Sequence, residues 1–242
     1  MTADTATTQL AGIAQELARS VLARHCERTD AEARWPAEPL KAIADAGLLG
    51  LHAPRRVGGH GLGLLALAQV TEALAGGCSS TAMCYGMHCV ATAVIAAKAT
   101  PDQEAQYLEP IAHGRHLTTL ALSEPGTGAH FYLPRATFVE DAEGFTLQGQ
   151  KSFVTNGGHA NSYVVSAVAA GEDLDPGTFT CLLVDAGTPG LEWGPEWAGF
   201  GMRGNSSRGV SLNGVRVPPR NLLGAEGDQI WYVFEVVAPY FL

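Results

Sequence analysis

His113-Gly-Arg-His-Leu-Thr-Thr-Leu-Ala-Leu-Ser-Glu-Pro-Gly-Thr-Gly128 is the stretch in which the chain changes its period. Ahead of it, apolar residues recur every three to four positions, the spacing of a helix face. After it come short runs rich in β-branched and aromatic residues, divided by Gly, Pro, Asp and Asn. The stretch holds the first of those runs, Leu117–Leu122, and the turn that ends it. The fold class expected is therefore α+β: an all-α helical domain followed by an antiparallel β-sheet or small barrel.

Towards the N-terminus, Leu10, Ile13, Ala14, Leu17, Val21 and Leu22 share one helical face, with Glu16, Arg19 and Arg24 opposite. Pro39 and the run 40–46 predict a short second helix stopped by Gly47. Gly58-Gly-His-Gly-Leu-Gly63 reads as a turn before a third helix over 64–75, which Gly76-Gly77 ends. Ser79 or Ser80 is the expected cap of a long, apolar fourth helix reaching Lys98. Thr100, Pro101 and Gln103 form a capping-box pattern that starts a fifth, to about Ala112.

Towards the C-terminus, strands are expected at 117–122, 136–140, 145–147, 152–155, 163–169 and 179–184, with two more near 191–193 and 209–217. The division that follows is a helical domain over 1–115, a β domain over 116–226, and a last segment over 227–242. That segment, Ile230-Trp-Tyr-Val-Phe-Glu-Val-Val-Ala-Pro-Tyr-Phe-Leu242, is apolar except at Glu235. A helix apolar on every side asks to be buried on every side, and Pro239 should kink or end it. The expectation is the start of a further helical domain that is absent from this chain.

The totals narrow the function. The 242 residues are 46% hydrophobic and 16% charged, the composition of a globular protein with a sizeable core. A formal net charge of −9 argues against nucleic acid or an anionic membrane as the partner. Five cysteines with no CxxC pair read as reduced thiols. Met1-Thr-Ala-Asp-Thr-Ala-Thr-Thr shows no basic stretch ahead of an apolar one, so a cytoplasmic location is expected. His113 and His116 have no third partner that would make a metal site.

Two motifs carry chemistry. Ser123-Glu-Pro-Gly-Thr-Gly128 follows a strand, and its glycines permit close backbone approach to a ligand. In Lys151-Ser-Phe-Val-Thr-Asn-Gly-Gly158, period-two alternation puts Phe153 and Thr155 on one face. A ring and a hydroxyl side by side suit a flat heterocycle, although an ordinary half-buried strand would look the same. On the fourth helix, Met83, Tyr85, Met87 and His88 read first as packing residues.

Taken together, Leu120-Ala-Leu-Ser-Glu-Pro-Gly-Thr-Gly128 and Gly149-Gln-Lys-Ser-Phe-Val-Thr-Asn-Gly157 resemble the two signature strands of the acyl-CoA dehydrogenases. Gly199-Phe-Gly-Met-Arg-Gly204 and Gly214-Val-Arg-Val-Pro218 look like later sheet segments of that family, and the resemblance spans essentially the whole chain. It implies FAD as cofactor, held at Leu120, Leu122, Ser123, Gly128 and Ala129 by the first signature and at Phe153, Val154 and Thr155 by the second. Thr155 matches the threonine whose hydroxyl bonds flavin N5. Ala129 and Met87 are the positions implied to touch an acyl-CoA substrate. Phe153 stands where tryptophan is common, and Ala129 and His130 where serine and aspartate are, so a contact to the acyl-CoA is lost or made differently.

The resemblance also implies α,β-dehydrogenation of an acyl thioester, with electrons passed to an electron-transfer flavoprotein or other acceptor, and a homo- or hetero-oligomer. It places the catalytic glutamate on the absent domain, with Glu235 a remote alternative, so no catalytic base is assigned in this chain. Two readings compete: a flavin-dependent monooxygenase of the same fold, and a non-catalytic partner subunit that contributes one wall of a flavin site.

Overall fold

The computed structural model describes residues 3–171 and 176–241. Helices α1 (Ala3–Leu17) and α2 (Ala23–Ala31) are joined without a break by a π-turn over Ala18–Leu22. They are followed by α3 (Ala37–Asp45), α4 (Leu64–Ala75) and α5 (Ser79–Lys98). The first helix is longer than the apolar spacing marks, because its ends are carried by contacts to other elements. Gly47 ends α3 as expected, with φ +76.

Helix α5 is long and apolar enough to cross a membrane by length and composition, but most of it lies inside the protein. It is the central core helix. Its N-cap is Cys78, with no side-chain cap bond, rather than Ser79 or Ser80. Ser80 turns inward instead and accepts from the Gly204 N–H at 3.3 Å.

The capping box is present: Thr100 accepts from the Gln103 N–H, and the Gln103 side chain accepts from the Thr100 N–H. It opens α6 (Pro101–Gln103), a π-turn over Glu104–Leu108, and α7 (Glu109–Ala112). The Gln103 amide also donates to Arg220 O and Leu222 O at 2.8 and 2.7 Å, which ties this corner to the β domain.

Among the described residues eight strands follow: β1 (Thr118–Ala121), β2 (Thr137–Asp141), β3 (Gly144–Val154), β4 (Ser162–Ala169), β5 (Thr180–Asp185), β6 (Leu191–Trp193), β7 (Arg208–Val217) and β8 (Leu222–Leu223). They form one sheet in the order β6-β7-β3-β2-β4-β5-β8, with β1 beside β4. The sheet is mixed rather than antiparallel, since β1 and β2 both run parallel to β4 while the other pairs are antiparallel. β1 and β2 lie one after the other along one edge of β4, opposite 162–165 and 168–169, and the chain passes through β3 before it returns as β4, the long connection that a parallel pair requires.

The expected strands at 145–147 and 152–155 are one continuous strand. Gln148-Gly149-Gln150 reads locally as a turn, but Gly149 continues β3 at φ +145, and a Cβ there would lie 2.7 Å from that of Ala136, so both the backbone and the space call for glycine. Strand β4 is buried along nearly its whole length, both faces being covered.

Helix α5 packs against β1. The His88 ring is fully buried between them: Nε2 donates to Leu49 O at 3.0 Å, and Nδ1 accepts from the Thr118 N–H at 3.1 Å. Burial lowers the His88 pKa to about 4. Tyr85, one turn earlier, donates to Leu48 O at 3.1 Å. Both residues hold the core together.

The last segment forms α8 (Gln229–Tyr232), a π-turn over Val233–Val237 and α9 (Ala238–Phe241). Here, as at Pro110, a π-turn lies just before a proline. Proline cannot donate to the preceding turn, and a widened turn accommodates it without breaking the helix. Within this chain the segment is buried on one face only, as expected of a helix that begins a further domain. Tyr232, Val233, Val236 and Val237 are buried in this chain's own core, while Trp231, Phe234 and Glu235 on the opposite face are exposed. The apolar run is two faces of different exposure.

Candidate functional site

The site is built where the end of β1 meets β3. Ser152 N–H donates to Ser123 O at 2.7 Å, and Lys151 Nζ donates to Leu122 O at 3.3 Å. Lys151 has no exposed side-chain surface. Its ammonium also donates to Glu124 Oε1 at 2.6 Å and Ser166 Oγ at 2.9 Å. Burial pushes the Lys151 pKa down, and the Glu124 carboxylate opposes that shift.

Glu124 in turn accepts from the backbone N–H of Arg135 at 2.7 Å and of Ala136 at 3.0 Å. One buried ion pair therefore joins the two glycine-bearing motifs and closes the loop between β1 and β2. A buried charge is stable only when its partners are complete, and here each oxygen and proton has one.

A cavity of about 230 Å³ opens beside this junction. Its walls include Leu120, Leu122, Ser123, Phe131, Ser152, Phe153, Thr155, Asn205, Ser207, Met83, Met87 and Val237. Of the residues singled out in the sequence, Leu120, Leu122, Ser123, Phe153, Thr155, Met83 and Met87 are brought to it. Val154 points into the core with no exposed surface. Gly128 (φ +54) and Ala129 are exposed near the tip of the loop that Glu124 closes, outside the cavity wall.

Phe153 and Thr155 share the cavity, but not by strand alternation. The register of β3 against β7 shifts between Lys151 and Val154, and Phe153 takes φ +54. This conformation is costly for a bulky side chain and is found mainly at functional sites. The bulge turns the Phe153 ring outward, 66% exposed, in a T-shaped pair with Trp197 whose ring centroids are 6.0 Å apart. Thr155 lies just past the strand and is only 5% exposed.

What fixes Thr155 was not read from the sequence. Thr155 Oγ1 and Ser207 Oγ are 3.1 Å apart, and either can donate. The Ser207 N–H is held by Asn205 Oδ1 at 2.8 Å. Asn156 N–H donates to Asn205 O, and Gly157 N–H to Ser206 O, both at 3.0 Å, so the segment 203–207 clasps 155–157. Asn156 is fully buried at φ +60, which asparagine tolerates better than other residues. Its side chain accepts from Trp35 Nε1 and donates to Cys84 O. The signal available in the sequence was the polar run Asn205-Ser206-Ser207 directly after the glycine motif at 199–204.

A second cavity of about 800 Å³ lies between α4, α5 and α9. Leu64, Leu67, Thr71, Gly86, Val90 and Tyr240 are among its lining residues. Met83 and Met87 line both cavities and form the boundary between them. The arrangement is a small chamber lined by two aromatic rings, four hydroxyl-bearing residues and an amide among apolar side chains, backed by a larger apolar chamber. Among the described residues, none that lines the first chamber is a carboxylate, and Glu235 is exposed elsewhere.

A helical layer covering a mixed sheet, with a hydroxyl-edged chamber at their seam, is the class of protein this geometry defines. Two family models match: "Acyl-CoA dehydrogenase, N-terminal domain" over residues 5–115 and "Acyl-CoA dehydrogenase, middle domain" over residues 119–215. The chain belongs to the acyl-CoA dehydrogenase family. It is 29% identical over 220 residues to the mitochondrial isobutyryl-CoA dehydrogenase of Dictyostelium discoideum, covering 91% of this chain and 53% of that protein.

Among solved structures, butyryl-CoA dehydrogenase from Megasphaera elsdenii shares the fold at a TM-score of 0.89 and 23% identity. The match covers 97% of this chain and 62% of that one. The FAD complex of an acyl-CoA dehydrogenase from Bacillus anthracis matches at a TM-score of 0.81 and 26% identity, covering 96% of this chain and 40% of that one. The chain spans about half the length of the curated relatives it matches.

Proposed function

We propose that this chain supplies the helical and β-domain walls of an FAD-dependent site for α,β-dehydrogenation of an acyl-CoA thioester. The observation that carries the reading is the convergence of Phe153 and Thr155 with Leu120, Leu122 and Ser123 on one chamber.

The donor set fits a flavin ring. Thr155 and Ser207 bring two hydroxyl hydrogens, of which their mutual bond uses one, so the other can be donated into the chamber. The remaining wall is largely apolar. At about 230 Å³ the chamber is below the ~300–1,000 Å³ of a site for a whole drug-sized ligand. It therefore takes a ring system, and the rest of the dinucleotide lies outside it.

FAD bound there would supply the two-electron acceptor for the β-hydride. The chain's own part is to orient and to exclude water. Thr155 directs a hydrogen bond at flavin N5, Phe153 packs at the ring, and the 800 Å³ chamber takes the acyl tail. The carboxylate that removes the α-proton comes from outside the residues described here. Electron transfer to an electron-transfer flavoprotein, assembly into an oligomer and a cytoplasmic location belong to the same proposal.

The test is reconstitution with FAD followed by reduction with acyl-CoA substrates. Thr155→Val should slow flavin reduction more than it weakens flavin binding. Protein that stays colourless, or a valine variant reduced at the wild-type rate, defeats the reading.

A further inference from the structure

We propose that Ser207 is a positioning residue that lets Thr155 reverse the direction of its hydrogen bond when the bound flavin changes redox state. The inference rests on the placement of Thr155 given above.

A flavin nitrogen without a proton accepts a hydrogen bond, and the same nitrogen with a proton donates one. Thr155 has a single hydroxyl hydrogen. Facing an unprotonated nitrogen it spends that hydrogen on the ring. Facing a protonated nitrogen it must accept, and its own hydrogen then needs another acceptor. Thr155 is only 5% exposed, so bulk water reaches it poorly. Ser207 Oγ, 3.1 Å away, is placed to take that hydrogen. In the opposite state Ser207 donates to Thr155 instead.

The geometry keeps Ser207 in place through either state. Its backbone N–H is bonded to Asn205 Oδ1 at 2.8 Å, and Asn205 is itself 6% exposed. The flip therefore needs two hydroxyl rotations and no movement of heavy atoms.

The sign of the effect follows from the cost of an unsatisfied donor. Without the serine hydroxyl, Thr155 can still donate to the oxidised ring. With the reduced ring its hydrogen has lost its acceptor, and a buried donor left unpaired is the more expensive loss. Removing the Ser207 hydroxyl should therefore weaken binding of the reduced flavin relative to the oxidised flavin by roughly tenfold. For a two-electron couple, tenfold is about 30 mV, so the midpoint potential should fall by about that amount.

The experiment is spectroelectrochemical titration of the FAD-loaded protein with Ser207→Val, Ser207→Thr and Thr155→Val. Valine and threonine have the same shape, so their difference isolates the hydroxyl, and Ser207→Ala serves if the valine variant does not retain FAD. A potential lowered in Ser207→Val or Ser207→Ala and unchanged in Ser207→Thr supports the inference. Equal shifts in Ser207→Val and Ser207→Thr overturn it, since bulk alone would then be responsible. No shift in any Ser207 variant, with a shift in Thr155→Val, also overturns it and leaves the placement of Thr155 standing. If Thr155→Val does not move the potential either, the placement of Thr155 falls first and takes this inference with it.

Discussion

The indole Nε1–H of Trp35, on the connection between α2 and α3, donates to Asn156 Oδ1 at 3.0 Å, across 121 residues of sequence. The same indole ring stacks on His159 at 4.4 Å with the planes 4° apart. Through this contact the helical domain holds the residue that follows Thr155. Trp35→Phe keeps a ring for the stack and removes the donor, leaving a buried amide oxygen short of a partner. A loss of about 1–3 kcal/mol is expected. Urea unfolding measures it, and an unchanged midpoint would show that the bond contributes nothing.

Lys151 and Glu124 make a second prediction. Lys151→Met should cost about 3–5 kcal/mol, because the carboxylate of Glu124 stays buried without its counter-ion. Replacing both charges, Lys151→Met with Glu124→Gln, should recover part of that loss, since glutamine still accepts from the Arg135 and Ala136 N–H groups. A double-mutant cycle with no coupling between the two positions contradicts the assignment.

Acid should weaken the fold through its buried histidines. His88 and His116 both have pKa values lowered to about 4 by burial, from an ordinary 6.5. The unfolded chain takes up protons first as pH falls, so stability is full above about pH 6.5. It then declines as pH drops towards 4, and no further loss from these groups follows below that. For His88 alone the shift corresponds to about 3 kcal/mol. Unfolding curves at pH 7.5 and 4.5 should differ by at least that order, and by less in His88→Gln. An equal difference in the variant would remove His88 from the explanation.

Gly204 reports on the clasp around Thr155. A Cβ there would lie 2.6 Å from Arg34 O and would also press on the Thr29 side chain. Gly204→Ala must therefore displace the segment 203–207, at a cost of about 1–3 kcal/mol. FAD affinity, measured by flavin fluorescence, should weaken along with stability. Wild-type affinity in a destabilised variant would separate the clasp from the site.

Gly86 reports on the larger chamber. It lines that chamber, and an added Cβ would meet only Thr71 Cγ2, at 4.0 Å. Gly86→Leu should be tolerated, with up to about 1 kcal/mol gained from helix propensity. Its side chain would occupy tail space, so KM should rise for long acyl-CoA substrates and change little for short ones. A uniform rise across chain lengths would count against this chamber as the tail site.

The sequence by itself determined the order of elements. Helical spacing through Ala112 and β-rich runs from Leu117 are local patterns, set by which faces must be buried, and so they can be read without the partners that bury them. The capping box at Thr100 and the turn at Gly47 are local for the same reason. Phe153 and Thr155 stood out as a ring and a hydroxyl two residues apart, whereas Leu120, Leu122 and Ser123 were nominated only by the resemblance of the two motifs to the family's signature strands, since a backbone contact leaves no mark in the side chain.

Only the tertiary structure decided how these residues meet. Parallel pairing of β1 and β2 with β4, the bulge that turns Phe153 outward, and the single long β3 through Gly149 all depend on strands far away in sequence. The bonds of Thr155 to Ser207, of Asn156 to Trp35 and of Lys151 to Glu124 span 52, 121 and 27 residues. Directional hydrogen bonds need both partners in position. A sequence shows donors and acceptors, but which donor reaches which acceptor is settled only when the chain has folded around them.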